Sequence, residues 1–214
     1  MTVLYYSVMQ EGDKFILSKA HASPLLYAIL ADKGLITKDE LDTFGQTGSR
    51  LGVHLNNEVP GVETIGGSLG YGLGIGAGMA YADRTRRVFV LLGDGECQEG
   101  SVWESAMFVG RENLNNLTAI VDYNGYGATP SNHPNTDWDW YSFGWVRDDI
   151  DGHAIEELSW TLKERYTLPC LLKAKTVKGY GLSFMVDAPL WHGVAPTGEW
   201  VGKARGELYA KHRV

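Results

Sequence analysis

VFVLLGDGECQEGSVWESAMFVGRENLNNLTAIVDYNGY, residues Val88 to Tyr126, is the stretch around which the rest of the chain falls into place. It opens with the apolar run Val88 to Leu92, rich in β-branched and aromatic residues, whose length and composition predict a fully buried strand. Gly93-Asp94-Gly95 follows at once, a carboxylate between two residues that let a ligand approach the backbone. Val102, Trp103, Ala106, Met107 and Gly110 then recur at helix spacing, and Leu117 to Val121 predicts a second strand running into Asp122-Tyr123-Asn124. In such a strand–helix–strand unit both loops leave the carboxyl ends of parallel strands, where open α/β sheets bind ligands. The crossover brings Asp94 and Asn124 together. An Asp carboxylate, an Asn amide oxygen and a main-chain carbonyl are hard oxygen ligands suited to magnesium, which takes phosphate oxygens and water for its other positions. Residue types alone allow a plainer account equally well: Asp94 caps a helix and Asn124 takes a tight turn.

Composition narrows the class. The chain has 214 residues, 44% hydrophobic and 21% charged, enough for one large ordered α/β domain over residues 1–214. A formal charge of −7 without a Lys/Arg cluster disfavours nucleic-acid binding. No apolar run approaches membrane-spanning length, and the first residues lack the basic region of a signal peptide. Two cysteines far apart, Cys97 and Cys170, suit reduced thiols and a cytoplasmic protein. Cys97 reads as a small packing residue.

Other segments carry local signals. Met1 to Met9 is apolar and uncapped, like the middle of a helix whose start is missing. Leu25, Leu26, Ile29 and Leu30 mark one helical face, with Gly34 as its stop; His21 stands just before that face. Thr37 and Glu40 have capping-box spacing. Residues 46–67 lack regular pattern, and a loop that long in a compact domain points to function; His54 is in its middle. Gly72, Gly74 and Ala77 fit a dinucleotide fingerprint, but no strand precedes them. Gly70, Gly74 and Gly78 share one helical face instead, which implies close approach of another helix. Thr129 to Trp140 is a polar, aromatic-studded loop in which His133 is expected to face solvent. Trp145 to Ile150 predicts a strand, Ile155, Leu158 and Leu162 a helix, Pro169 to Val177 a strand, and Gly198 to His212 a last amphipathic helix. Strand starts near 88, 117, 145 and 169 fit repeated strand–helix units in a parallel sheet with helices on both faces.

GDGECQEG, then WESA, then DYNG, resembles the thiamine-diphosphate motif, and in particular that of transketolases. The first component of 2-oxo-acid dehydrogenases and deoxyxylulose-phosphate synthase also carry GDG, but not followed by QEG. SKAHA, HLNNEVPGVE, GSLG and the segment from Lys175 to Gly193 resemble further transketolase segments; Leu55 and Ser68 stand where many members have proline. The resemblance covers nearly the whole chain, but only a transketolase's diphosphate-binding domain. It implies thiamine diphosphate and a metal ion, magnesium with calcium or manganese as alternatives, held by Asp94, Asn124 and the main-chain carbonyl of Tyr126. It implies cofactor contacts from Gly67, Ser68, Leu69, Gly93, Gly95, Glu99 and Glu104, the last two near an interface between subunits. It gives His21, His54 and His192 proton and hydroxyl traffic on the sugar; without it, His21 and His192 read as a structural and an exposed residue. Family members have an earlier segment with a Ser-Gly-His-Pro-type motif, absent here, so the native protein is expected to be longer or able to dispense with it.

The expected activity is transfer of a two-carbon ketol unit from a ketose donor, free or phosphorylated, to an aldose acceptor. A transketolase also needs a pyrimidine-binding domain, for which 214 residues leave no room. The chain is therefore expected to be one half of a split enzyme, a heterotetramer in which a C-terminal subunit carries that domain. Two alternatives stay open: a non-catalytic diphosphate-binding or assembly module, and a subunit for thiamine-dependent decarboxylative acyl transfer.

Overall fold

Alternation along the strands assigns their side chains to two faces, and this pattern builds the core. A computed structural model describes residues 1–126 and 140–211; residues 127–139, with the expectation for His133, lie outside it. It divides into two compact units, residues 1–175 and 176–214. In the first, five parallel strands form one sheet in the order β1-β2-β3-β5-β4: β1 Lys14–Leu17, β2 Val88–Gly93, β3 Leu117–Tyr123, β4 Val146–Asp151 and β5 Cys170–Lys175.

Phe15, Leu17, Phe89, Ile120, Cys170 and Leu172 point to one face. There they meet the π-helical turn Leu4–Val8, helix α1 (Ser23–Asp32) and helix α5 (Ile155–Lys163). Ile16, Val88, Val90, Leu92, Ala119, Val121 and Leu171 point to the other, beneath α3 (Tyr71–Ala82) and α4 (Gly100–Arg111). Both faces are covered, which explains why Val88 to Leu92 reads as a continuous apolar run. Trp140 and Trp145 are buried on the α4 side, their rings edge to face at 4.9 Å, and Trp145 Nε1 donates to the Ala106 carbonyl at 2.9 Å.

Local punctuation fell where expected. Gly34, at φ +74°, ends α1, with Leu35 N donating to Leu30 O and Gly34 N to Ala31 O, the paired bonds of a Schellman stop. Thr37 caps the short helix α2 (Lys38–Leu41), its Oγ1 accepting from Glu40 N at 3.0 Å.

Several expectations are corrected. Lys14–Leu17 is a strand that its four residues did not announce, and β4 starts at Val146 because Trp145 turns under α4. Leu25 is 47% exposed, Met107 54% and Ile155 71%; each sits at helical spacing but rolls off the packed arc. In the second unit α6 (Glu199–Lys211) is weakly amphipathic, with Ala204 buried and Leu208 and Tyr209 exposed.

The glycines of α3 divide by face. A Cβ on Gly76 would lie 2.5 Å from Val90 Cγ2, so this helix presses on the sheet at Gly76, not on the Gly74–Gly78 side. Helix α4 approaches at Gly70 and Gly74, where a Cβ would meet Ser101 and Ser105, while Gly78 meets nothing within 4 Å. Gly76→Ala should therefore destabilise the chain by about 1–3 kcal/mol through overpacking. Gly78→Ala should stabilise it by roughly 0.5–1 kcal/mol by restricting the unfolded backbone. Urea unfolding of the two variants checks this; shifts of the same sign would mean the helix is seated differently.

Candidate functional site

Three strand ends meet at one edge of the sheet, and the loops leaving them carry most of the residues singled out from the sequence. The β1 chain turns away after Leu17, with Ser18 N and Lys19 N both donating to Leu91 O. It enters the 3₁₀ turn Ala20–Ala22, which holds His21. β2 ends at Gly93, and Asp94 opens the 3₁₀ turn Gly95–Gln98. β3 ends at Tyr123, followed by Asn124, Gly125 and Tyr126.

Asp94 is 2% exposed and organises the second and third loops. Its Oδ1 accepts from Gly95 N at 2.8 Å; its Oδ2 accepts from Asn124 N at 3.0 Å and Gly125 N at 2.7 Å. Asn124 Oδ1 accepts from Tyr126 N at 3.0 Å. Both plain expectations, a capping aspartate and an asparagine turn, hold alongside the proximity that a metal site needs. Each carboxylate or amide oxygen has two acceptor positions, so Asp94 Oδ1 and Asn124 Oδ1 each keep one. Among the described residues no group of three or more His, Cys, Asp or Glu stands ready to hold a metal unaided. One carboxylate, one amide oxygen and a main-chain carbonyl instead fit a hard cation that draws its remaining ligands from phosphate and water.

The histidines of the first loop and the long loop come together: the His21 and His54 rings are 6.1 Å apart between centroids and inclined by 35°. Both are exposed. Gly67, at φ +126°, lies against His54, where a Cβ would come within 3.1 Å of Nδ1. Ser68 and Leu69 are exposed beyond it, and Gly70 opens α3. Glu99, the N-cap residue of α4, has its Cβ 2.9 Å from where a Cβ on Gly70 would stand, and its carboxylate faces solvent, as does Glu104. His192 belongs to the second unit, where its Nδ1 is 3.0 Å from Lys178 Nζ.

Glu96, Ser18 and the ion pair of Lys19 escaped the sequence reading. Glu96, 3% exposed, accepts from the Ser18 hydroxyl, from Gly70 N at 2.8 Å and from Gly93 N at 3.1 Å. Burial pushes its carboxyl above the usual range, against the pull of those hydrogen bonds and of Lys19. Lys19 pairs with Asp122 at the ends of β1 and β3. An acid next to a glycine-rich turn normally reads as solvated, and nothing local links positions 18, 70, 93 and 96. Cys97 is the packing residue it was read to be; burial raises its thiol far above the ordinary value.

Against known proteins, the family model for the transketolase thiamine diphosphate binding domain matches residues 7–210. The chain belongs to the transketolase family. It is 35% identical to one of the subunits of the apulose-4-phosphate transketolase of Phocaeicola vulgatus, covering 97% of this chain and 82% of that one. It is 37% identical to human transketolase across 90% of its own length but only 34% of that protein. The crystal structure of Campylobacter jejuni transketolase superposes with a TM-score of 0.87 at 28% identity, covering 97% of this chain and 37% of that one. The parallel α/β sheet is thus that of the transketolase diphosphate-binding domain, and thiamine diphosphate is this family domain's cofactor. The chain spans about a third of the full-length transketolases it matches. Among the described residues no helix is long and apolar enough to cross a membrane.

Asp94 has a structural duty that can be measured without cofactor. Asp94→Ala should destabilise the chain by about 2–4 kcal/mol, because several amides lose a charged acceptor together. Denaturant unfolding of the metal-free protein checks it; an unchanged midpoint would mean that these bonds do not hold the loops.

Proposed function

We propose that this chain is the diphosphate-binding subunit of a thiamine diphosphate-dependent transketolase, and that a separate polypeptide supplies the pyrimidine-binding domain. The observation that carries the reading is the convergence of Asp94, Asn124 and Tyr126 at the ends of β2 and β3, beside the His21–His54 pair at the end of β1. The likeness to one subunit of the Phocaeicola vulgatus enzyme supports the division into two polypeptides. The reaction is transfer of a two-carbon ketol unit from a ketose donor to an aldose acceptor, with sugar phosphates as the substrate class.

When bound, thiamine diphosphate supplies the electron sink that lets the carbon–carbon bond beside a ketone break. The chain's own part is to bind, orient and move protons. Asp94, Asn124 Oδ1 and the Tyr126 carbonyl would hold magnesium against the diphosphate, with Asp94 as the charged ligand. Gly67, Ser68, Leu69, Gly93 and Gly95 would line the approach with backbone rather than bulky side chains. His21 and His54 would donate to and accept from sugar hydroxyls, work suited to an imidazole, whose two ring nitrogens can take either part. By the resemblance of its segment, His192 would share this proton and hydroxyl work, and residues 1–214 would serve as one diphosphate-binding domain. Glu99 and Glu104, exposed on α4, would meet a second copy across an α3–α4 interface of a cytoplasmic heterotetramer. Gly74, Gly78 and the exposed Met107 give that face a small-residue strip with apolar surface beside it.

The test is reconstitution. The chain alone should show no turnover, and the chain with its pyrimidine-domain partner should transfer a ketol unit. Robust turnover by the purified single chain would contradict the split, and release of carbon dioxide from a 2-oxo-acid donor would assign the decarboxylative class instead. Asp94→Ala should abolish magnesium-dependent thiamine diphosphate binding in the assembled enzyme; calorimetric titration at wild-type affinity would remove Asp94 from the metal site. Gly78→Leu, at a position where a side chain meets nothing within 4 Å on this chain, should block association while the isolated chain stays folded, and an unaltered sedimentation profile would place the interface elsewhere.

A further inference from the structure

Glu96 bonds to three separate segments, and two of those bonds replace something the fold lacks at that point. In parallel β2, Leu91 O accepts from the β1 side, so the N–H of Gly93, two residues on, points the same way. β1 has ended by then, its register closing at Leu17 opposite Leu91. Glu96 Oε2 takes the Gly93 N–H in place of the absent strand. Gly70 opens α3 in a left-handed conformation, φ +87°, with no side-chain cap of its own, and its buried N–H goes to Glu96 Oε1. The third donor is Ser18, lodged so closely against the first turn of α3 that a Cβ on Gly72 would strike its hydroxyl.

These contacts lie directly behind the proposed diphosphate site. Ser18 leads into the His21 turn, Gly70 follows Gly67-Ser68-Leu69, and Gly93 precedes Asp94. Resting on the diphosphate reading of the preceding section, we propose that Glu96 is a positioning residue that sets the three loops relative to one another before ligand arrives. It acts through the loops and touches neither metal nor sugar. A carboxylate is needed because two oxygens must accept all three bonds; a glutamine at the same place would turn an N–H₂ toward either Gly93 N–H or the Ser18–Gly70 pair.

Glu96→Gln in the full chain tests this by two readouts. Amide hydrogen exchange should quicken about tenfold or more at Gly70 or Gly93, as expected for loss of a bond to a charged acceptor. In the enzyme assembled with its partner, the Kd for thiamine diphosphate at saturating magnesium should rise by a similar factor, about tenfold. A residue needed only for stability would lower the melting temperature of apo and loaded enzyme alike and leave that Kd unchanged. Wild-type exchange and wild-type Kd in the variant would overturn the proposal. If Glu96→Gln does not fold, Ser18→Ala removes one donor and keeps the carboxylate; it should move both readouts in the same direction, and wild-type values there would equally overturn it. Failure of the wild-type assembly to bind thiamine diphosphate would instead defeat the diphosphate reading, and with it the purpose assigned to Glu96.

Discussion

Two carboxylates drawn out of water at the end of one strand hold this structure's working edge. Asp94 and Glu96 are both nearly inaccessible, and a buried carboxylate is tolerated only if it gathers hydrogen bonds. Asp94 gathers the amides of its own turn and of the loop after β3. Glu96 gathers the end of β1, the end of β2 and the start of α3. Together they tie four segments that share few backbone bonds. The same desolvation that raises the Glu96 carboxyl makes each lost donor costly, so the loops resist drifting apart.

The sheet makes that arrangement possible by ending all its strands on the same side. Parallel strands require crossovers over both faces, and the alternation in β2, with Phe89 on one face and Val88, Val90 and Leu92 on the other, feeds two separate cores. Small residues then set how near the helices come. Gly76 brings α3 against Val90, and Gly72 admits Ser18 to the first turn of the same helix. Without that approach the Ser18 hydroxyl would not reach the glutamate that also holds Gly70.

His21, His54, Glu99 and Glu104, all residues of the proposed site, face solvent on this chain, whereas the reaction proposed above would call for water to be kept out. The likeness to one subunit of the Phocaeicola vulgatus enzyme fits the proposal that a separate polypeptide completes the site.

The sequence by itself determined the elements whose cause is local. Val88–Gly93 is a strand because five consecutive apolar side chains can be buried on both faces; Gly34 ends α1 because its φ is positive; Thr37 caps α2 because a hydroxyl reaches the amide three residues on. The pairing of Asp94 with the Asn124 loop was legible too, since a strand–helix–strand unit leaves little choice about where its ends meet. Tertiary structure alone decided whatever depends on distant partners. β1 is a strand because β2 offers it an edge, and β5 enters between β3 and β4 although it follows them in sequence. Leu25 and Ile155 keep helical spacing but face water, because periodicity defines a stripe and only packing decides how much of it is covered. Glu96 shows the limit most clearly: its three donors come from positions 18, 70 and 93, and no local pattern can say that an acid beside a glycine turn will meet them once water has been squeezed out.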